Sequence, residues 1–168
     1  MISAASQILD LLLPRFQQMT VANGYTNEFV QIKRATQVFS DLLDDLPLLN
    51  YFHGETTPAD RSHNYERRDL QITLEAYTRT LDAPFTDTAS MIGDELETVL
   101  FRYSGRPKPV DPVENILMDK NYRGVGEIIF DGSVPALGEG QRPYCGAIIS
   151  VRVRYNVAVG CPSVLLEI

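Results

Sequence analysis

The sequence predicts an α+β fold: a single, mostly antiparallel sheet with two helices packed on one face, formed as one domain over residues 1–168. Three observations lead there. Leu70, Ile72, Leu74 and Ala76 alternate with Gln71, Thr73, Glu75 and Tyr77, which is the period of a strand with one face buried. Ala147, Ile149, Val151, Val153, Tyr155 and Val157 alternate in the same way over about 12 residues, where a typical strand has about 5–6. Two stretches, near the N-terminus and at 86–103, instead carry apolar residues at helical spacing.

The first helix is read over residues 3–22. Ile8, Leu9, Leu11, Leu12, Leu13, Phe16 and Met19 form its apolar stripe, and Ser3 or Ser6 caps its start. Pro14 predicts a kink or a break, and Asn23-Gly24 a C-cap. Glu28 to Arg34 reads as a short strand with Phe29 set apart from Val30 and Ile32. Residues 36–47 hold Val38, Leu42, Leu43 and Leu46, enough for one or two helical turns ended by Pro47. Leu48 to His53 is a compact apolar run, hence a strand. Residues 54–66 are polar and include Gly54 and Pro58, hence a loop.

After the strand Leu70–Thr80 and Pro84, Thr86 or Asp87 opens the second helix. Met91, Ile92, Leu96, Val99, Leu100 and Tyr103 share one side of it. Its early acids, Asp94, Glu95 and Glu97, and its late base, Arg102, match the helix dipole. Residues 104–115, with three prolines, form a stiff connector. Val125 to Phe130 is a strand stopped by Asp131-Gly132, and 132–143 a glycine-containing loop before the long final strand. A strand that long can extend past its own sheet and pair with a neighbour.

Composition bounds the function. With 168 residues, 44% hydrophobic and 22% charged, the chain is long enough to bury a core. It lacks an apolar run of about 18 residues, and its start lacks the basic segment of a signal peptide. The expectation is therefore a protein that stays in the cytoplasm, with no membrane span. A formal charge of −7 argues against a module that grips nucleic acid by its phosphates, yet suits a wall past which DNA slides. The two cysteines, Cys145 and Cys161, are too few for a four-cysteine zinc site and are read as reduced thiols.

No catalytic or cofactor-binding pattern emerges. The chain has no GxSxG elbow and no GxxxxGK[ST] loop. Gly124-Val125-Gly126 opens a strand and is followed by Ile129, so it is no dinucleotide fingerprint. His53 and His63, with Glu55 and Asp60, fit no standard metal spacing and read as solvated loop residues. Asp41, Asp44 and Asp45 read as a solvated acidic face. The expectation is no enzyme, no cofactor and no metal.

Four arginines stand out as interface candidates. Arg67 and Arg68, with Arg61, His63 and Tyr65 nearby, mix basic and aromatic residues among the acids Asp60, Glu66 and Asp69. That mixture suits a salt-bridged interface or solvent patch better than a single-strand nucleic-acid site. Arg152 and Arg154 lie on the polar side of the final strand. They either pair with carboxylates across an oligomer interface or form an ordinary solvated sheet face.

The order of these elements resembles the tail terminator (tail completion) proteins of long-tailed bacteriophages. The resemblance lies in a helix ending at Gly24-Tyr25-Thr26, the strand Phe29 to Arg34, an apolar strand beside Pro47, a polar loop with Gly54-Glu55, the alternating strand Leu70–Thr80, a helix, and two C-terminal strands. It covers most of the chain and is one of pattern, without a signature motif. The connector 104–121 and the loop 132–143 are longer than that pattern has. What it implies is a virion protein, assembled in the host cytoplasm, that forms a hexameric ring. The ring caps the tail tube protein, ends tube polymerisation and docks to the head–tail connector or stopper, while DNA passes through its lumen without specific binding. The family has no catalytic residues to carry over. Two other readings are another neck or tail component, such as a stopper or tube subunit, and a small ligand-binding or enzymatic module using the 53–69 loop.

Overall fold

In the computed structural model, which describes residues 2–34, 46–79, 84–101, 125–138 and 144–166, the two alternating segments are neighbours at the centre of one sheet. In chain order the elements are α1 (Ala4–Phe16), β1 (Gln31–Lys33), β2 (Leu48–Arg61), β3 (Tyr65–Arg79), α2 (Phe85–Phe101), β4 (Val125–Gly138), β5 (Tyr144–Ala158) and β6 (Cys161–Leu165). The sheet runs β1-β2-β3-β5-β4, and β6 pairs with the end of β5, past the point where β4 begins. All pairings are antiparallel except β1 with β2, which is parallel.

The central β3/β5 ladder is regular from Tyr65↔Ala158 to Arg79↔Tyr144. Successive side chains on a strand point to opposite faces, so this register gathers Leu70, Ile72, Leu74, Ile149, Val151 and Val153 on one side, where all are fully buried. Both helices cover that side. α1 contributes Ile8, Leu9, Leu12 and Phe16, and α2 contributes Ile92, Leu96, Val99 and Leu100, to one continuous core. Burying each such side chain stabilises by roughly 1.5–3 kcal/mol. The predicted α+β class, with both helices on one face of the sheet, is what forms.

Local chemistry sets the helix ends. The Ser3 hydroxyl accepts the backbone N–H of Ser6 at 3.1 Å and caps α1. The helix runs through Pro14 and ends at Phe16, short of the predicted 22, because the following residues turn into a 3-10 segment at Val21–Asn23. Gly24, at φ 87°, takes the left-handed conformation that closes it. α2 starts at Phe85, one residue before the predicted cap, with the Pro84 carbonyl accepting from Asp87 and Thr88.

Arg15, fully buried, ties the helices together by donating from Nη1 to the Val99 carbonyl at 3.0 Å and to the Leu100 carbonyl. These are C-terminal carbonyls of α2, where helix geometry leaves acceptors open and the dipole favours a cation. Glu95, also buried, accepts from the backbone N–H groups of Thr26 and Asn27 and from the Asn27 amide, so α2 holds the 25–28 segment in place.

Several boundaries differ from the sequence reading. Residues 54–61, expected in a loop, extend β2, and residues 65–66 begin β3. Every residue from His53 to Asn64 is exposed, so neither face of this segment needed apolar residues and no alternation marks it. The expected strand at 28–34 shortens to 31–33; Phe29 is buried and Ile32 packs on the core, while Val30 is 70% exposed. β4 does not stop at Asp131-Gly132. A bulge between Phe130 and Gly132 carries the strand on to Gly138 through most of the expected loop. A third closing strand, β6, was not foreseen; it makes only two register pairs with β5. The acids Asp41, Asp44 and Asp45, most of the possible helix at 36–47, and the connector at 104–121 lie outside the described residues.

The irregularities fall on the outer strands. β2 shifts register between His53 and Thr56 and between Pro58 and Asp60; β4 shifts between Val125 and Glu127 and between Phe130 and Gly132. Pro58 and Pro135 also lie on these strands, and proline in a sheet is largely confined to such outer strands and bulges. Bulges and prolines on outer strands oppose edge-to-edge pairing.

Candidate functional site

The face of the sheet turned away from the helices carries Arg67, Asp69 and Glu75 of β3 and Arg152 and Arg154 of β5. Register fixes who meets whom. Asp69 is opposite Arg154, Arg67 is opposite Asn156, and Gln71 is opposite Arg152. The same alternation that buries Leu70 and Val153 therefore stacks Arg67, Asp69, Arg152, Arg154 and Asn156 on the other side.

Arg154 and Asp69 form a two-pronged pair, Nε to Oδ1 at 2.8 Å and Nη2 to Oδ2 at 3.0 Å. Arg152 turns to β4 and grips Asp131, with Nε 2.8 Å from both carboxylate oxygens and Nη2 2.7 Å from Oδ1. Its Nη1 also lies 3.7 Å from Asp69 Oδ2, so the four side chains form one chain of charge: Asp131, Arg152, Asp69, Arg154. The β4 bulge makes this geometry: Phe130 pairs with Val151 and Gly132 with Ser150, which leaves Asp131 as the extra residue beside Arg152. Gly132 sits at φ 147°, a conformation that favours glycine.

The electrostatics follow. The hydrogen bonds from Arg154 hold the Asp69 carboxyl below the usual carboxylate range against the opposing effect of burial, and the charges of Arg152 and Arg67 add to the lowering. The Asp131 carboxylate, hydrogen-bonded to Arg152, raises the already high pKa of that guanidinium. Arg67 donates from Nε to the Asn156 amide oxygen at 3.4 Å; among the described residues it has an amide, not a carboxylate, in hydrogen-bonding reach. Besides Asp69 and Asp131, register sets Asp60 of β2 opposite Arg67 and Glu127 of β4 opposite Arg154, so acids and arginines alternate across this end of the sheet. The Arg152 and Arg154 side chains remain 42% and 32% exposed.

Of the four arginines singled out in the sequence, three share this face. Arg68, an odd step from Arg67, points to the opposite side, where its Nε donates to Glu66 Oε1 at 2.9 Å. That bond lowers the Glu66 pKa and raises that of Arg68. Asp69 and Asp131 were not singled out as pairing residues. The signal for Asp69 was available in its spacing of two from Arg67; Asp131 is visible only once the bulge is known.

The other candidate groups stay apart. His53 is at the base of the β2–β3 arm and His63 in its turn, both exposed. Among the described residues, no three His, Cys, Asp or Glu side chains are grouped to hold a metal ion. Cys145 is a buried free thiol whose pKa burial raises, and Cys161 is a free thiol at the surface. A groove of about 330 Å³ lies between α2 and β4, lined by residues including Ser90, Asp94, Glu97, Phe130 and Ser133. Among the described residues, no helix is long and apolar enough to cross a membrane. In comparison with known proteins, no family model matches the chain and no curated protein matches it.

Proposed function

We propose that the chain is a structural subunit that assembles with copies of itself into a ring, in the manner of the tail terminator proteins its element order resembles. Such a ring, expected as a hexamer in the virion, caps the tail tube, stops its growth and presents a docking surface to the head-proximal connector around the DNA channel. The observation that carries this reading is the β2–β3 arm. Thr56 to Arg61 pairs with β3 by backbone register, yet every residue from His53 to Asn64 is exposed. The β2 half of this pair has no core beneath it and gains little for the lone chain, whereas a neighbouring copy would bury it. The acidic balance of −7 agrees with a lumen that lets DNA slide.

Native mass spectrometry of the purified chain, alone and with assembled tail tubes, tests the reading. One closed oligomer that also binds tube ends supports it. Open-ended stacks indicate a tube subunit instead, and a monomer at all concentrations that ignores tubes refutes assembly.

A further inference from the structure

The two edges of the sheet differ in shape. At one, beyond the short β1, Thr56 to Arg61 of β2 forms the exposed arm, with Ala59 bulged out between the register pairs Pro58↔Arg68 and Asp60↔Arg67. At the other, α2 and β4 enclose the groove of about 330 Å³, with Ser90, Asp94 and Glu97 on its helix wall and Phe130, Ser133 and Pro135 on its strand wall. Each edge also carries ionic groups left over from folding. The Asp94 and Glu97 carboxylates make no hydrogen bond or ion pair among the described residues, and neither does the Arg61 guanidinium at the end of the arm. Elsewhere such groups are engaged: Asp10, the one acid of α1, is held by Arg34, and the arginines of the sheet face by Asp69, Asp131 and Asn156. Arg79, also without such a partner, ends the inner strand β3 and lies on neither edge.

From this we infer that the β2 arm of one copy seats in the α2–β4 groove of the next, with Arg61 against Asp94 and Glu97. The inference rests on the ring reading and names its contact. An arm at one edge and a groove at the opposite edge are different patches on one subunit. Their contact runs head to tail, which closes into a ring when the rotation per step allows and otherwise runs on as a filament. Shape and position select the occupant: the projecting element of one edge meets the concave element of the other, and Pro58 and Ala59 bring small apolar side chains to Phe130 and Pro135. Charge then orients it, because a guanidinium left unpaired on the arm reaches two carboxylates left unpaired in the groove. Side chains entering a groove need no ladder bonds, so the bulges and prolines that oppose edge-to-edge pairing do not oppose this contact. Pairing with β3 holds the arm extended before a second copy arrives, which lowers the ordering cost of binding.

A charge swap with a steric control tests it. Arg61→Glu alters the arm, Asp94→Arg with Glu97→Arg alters the groove, and Ser90→Trp fills the groove without changing charge. Circular dichroism and thermal melting check that each variant folds, and native mass spectrometry with analytical ultracentrifugation reads association. Each variant alone should associate about tenfold or more weakly than wild type. An equimolar mixture of the two charge variants should restore the oligomer, because both contacts in an alternating ring are then complementary. A mixture of Arg61→Glu with Ser90→Trp should not, since the filled groove still excludes an arm. If a reversed variant fails to fold, Arg61→Ala and the Asp94→Asn, Glu97→Gln pair replace it, each expected to weaken association severalfold. Wild-type rings with variants that associate just as well, or charge variants whose mixture is not restored, overturn this contact while leaving the ring reading intact. A wild-type chain that stays monomeric overturns the ring reading, and this contact with it.

Discussion

Arg154 on β5 and Asp69 on β3 meet fork to fork across neighbouring strands, with both nitrogen–oxygen distances at or below 3.0 Å and the Asp69 side chain 8% exposed. Because the Asp69 pKa is lowered in the folded chain, its stabilising contribution is present above the unfolded value of about 3.8 and fades as pH falls through the lower folded value. Asp69→Asn should cost about 1–3 kcal/mol at neutral pH, because it removes the charged acceptor of the two-pronged pair with Arg154. It should also flatten the acid limb of the stability profile. Denaturant titrations from neutral pH into the acid range measure both, and an unchanged acid limb refutes the assignment.

Gly146 is where β3 and β5 approach too closely for any side chain. A Cβ there would lie 1.9 Å from the carbonyl oxygen of Ala76. Gly146→Ala should therefore force the backbones apart and destabilise by about 1–3 kcal/mol, seen as a lower denaturation midpoint. The edge-on contact of Tyr77 with Tyr144, ring centroids 5.2 Å apart, should loosen with it.

Removing the buried guanidinium of Arg15 leaves the Val99 and Leu100 carbonyls without that donor and opens space between the helices. Arg15→Ala should cost about 3 kcal/mol or more. Arg15→Lys should recover part of this, since an ammonium keeps the charge but lacks the planar fork. Thermal unfolding of the two variants separates charge from geometry.

The thiols should differ in reactivity. Cys161 is exposed, whereas Cys145 is buried with a raised pKa. A thiol-specific reagent should modify Cys161 in the native chain and reach Cys145 only in denaturant. Rapid native labelling of both sites contradicts the burial of Cys145.

What the sequence revealed tracks where water is excluded. β3 and β5 were legible because one face of each touches the helices, which imposes the alternation of Leu70–Ala76 and Ala147–Val157. The outer half of β2 and the end of β4 were not, because Thr56–Arg61 and Ser133–Pro135 are exposed and their pairing is a matter of backbone, not of side-chain pattern. The arginines of β5 were visible as polar residues in an apolar strand. Their partners were not, since Arg154 and Asp69 are 85 positions apart and Arg152 and Asp131 are 21 apart across a bulge. Only the register of the sheet brings them together.

The same register dictates an order of events during synthesis. β2 and β3 are joined by a short turn and can form as soon as both have left the ribosome. The other side of β3 must wait, because even its nearest partners on β5, Tyr144 for Arg79, follow α2, β4 and the segments joining them. Pairing so distant along the chain closes slowly, since the loop entropy is lost before the contacts compensate. Until then β3 presents its backbone and Leu70, Ile72 and Leu74 to the surroundings, an unprotected strand of the kind that holdase chaperones recognise and that aggregates seed from. A nascent chain halted before β5 emerges would therefore be a sticky half-sheet, and completion of that one strand is what makes the protein safe to release.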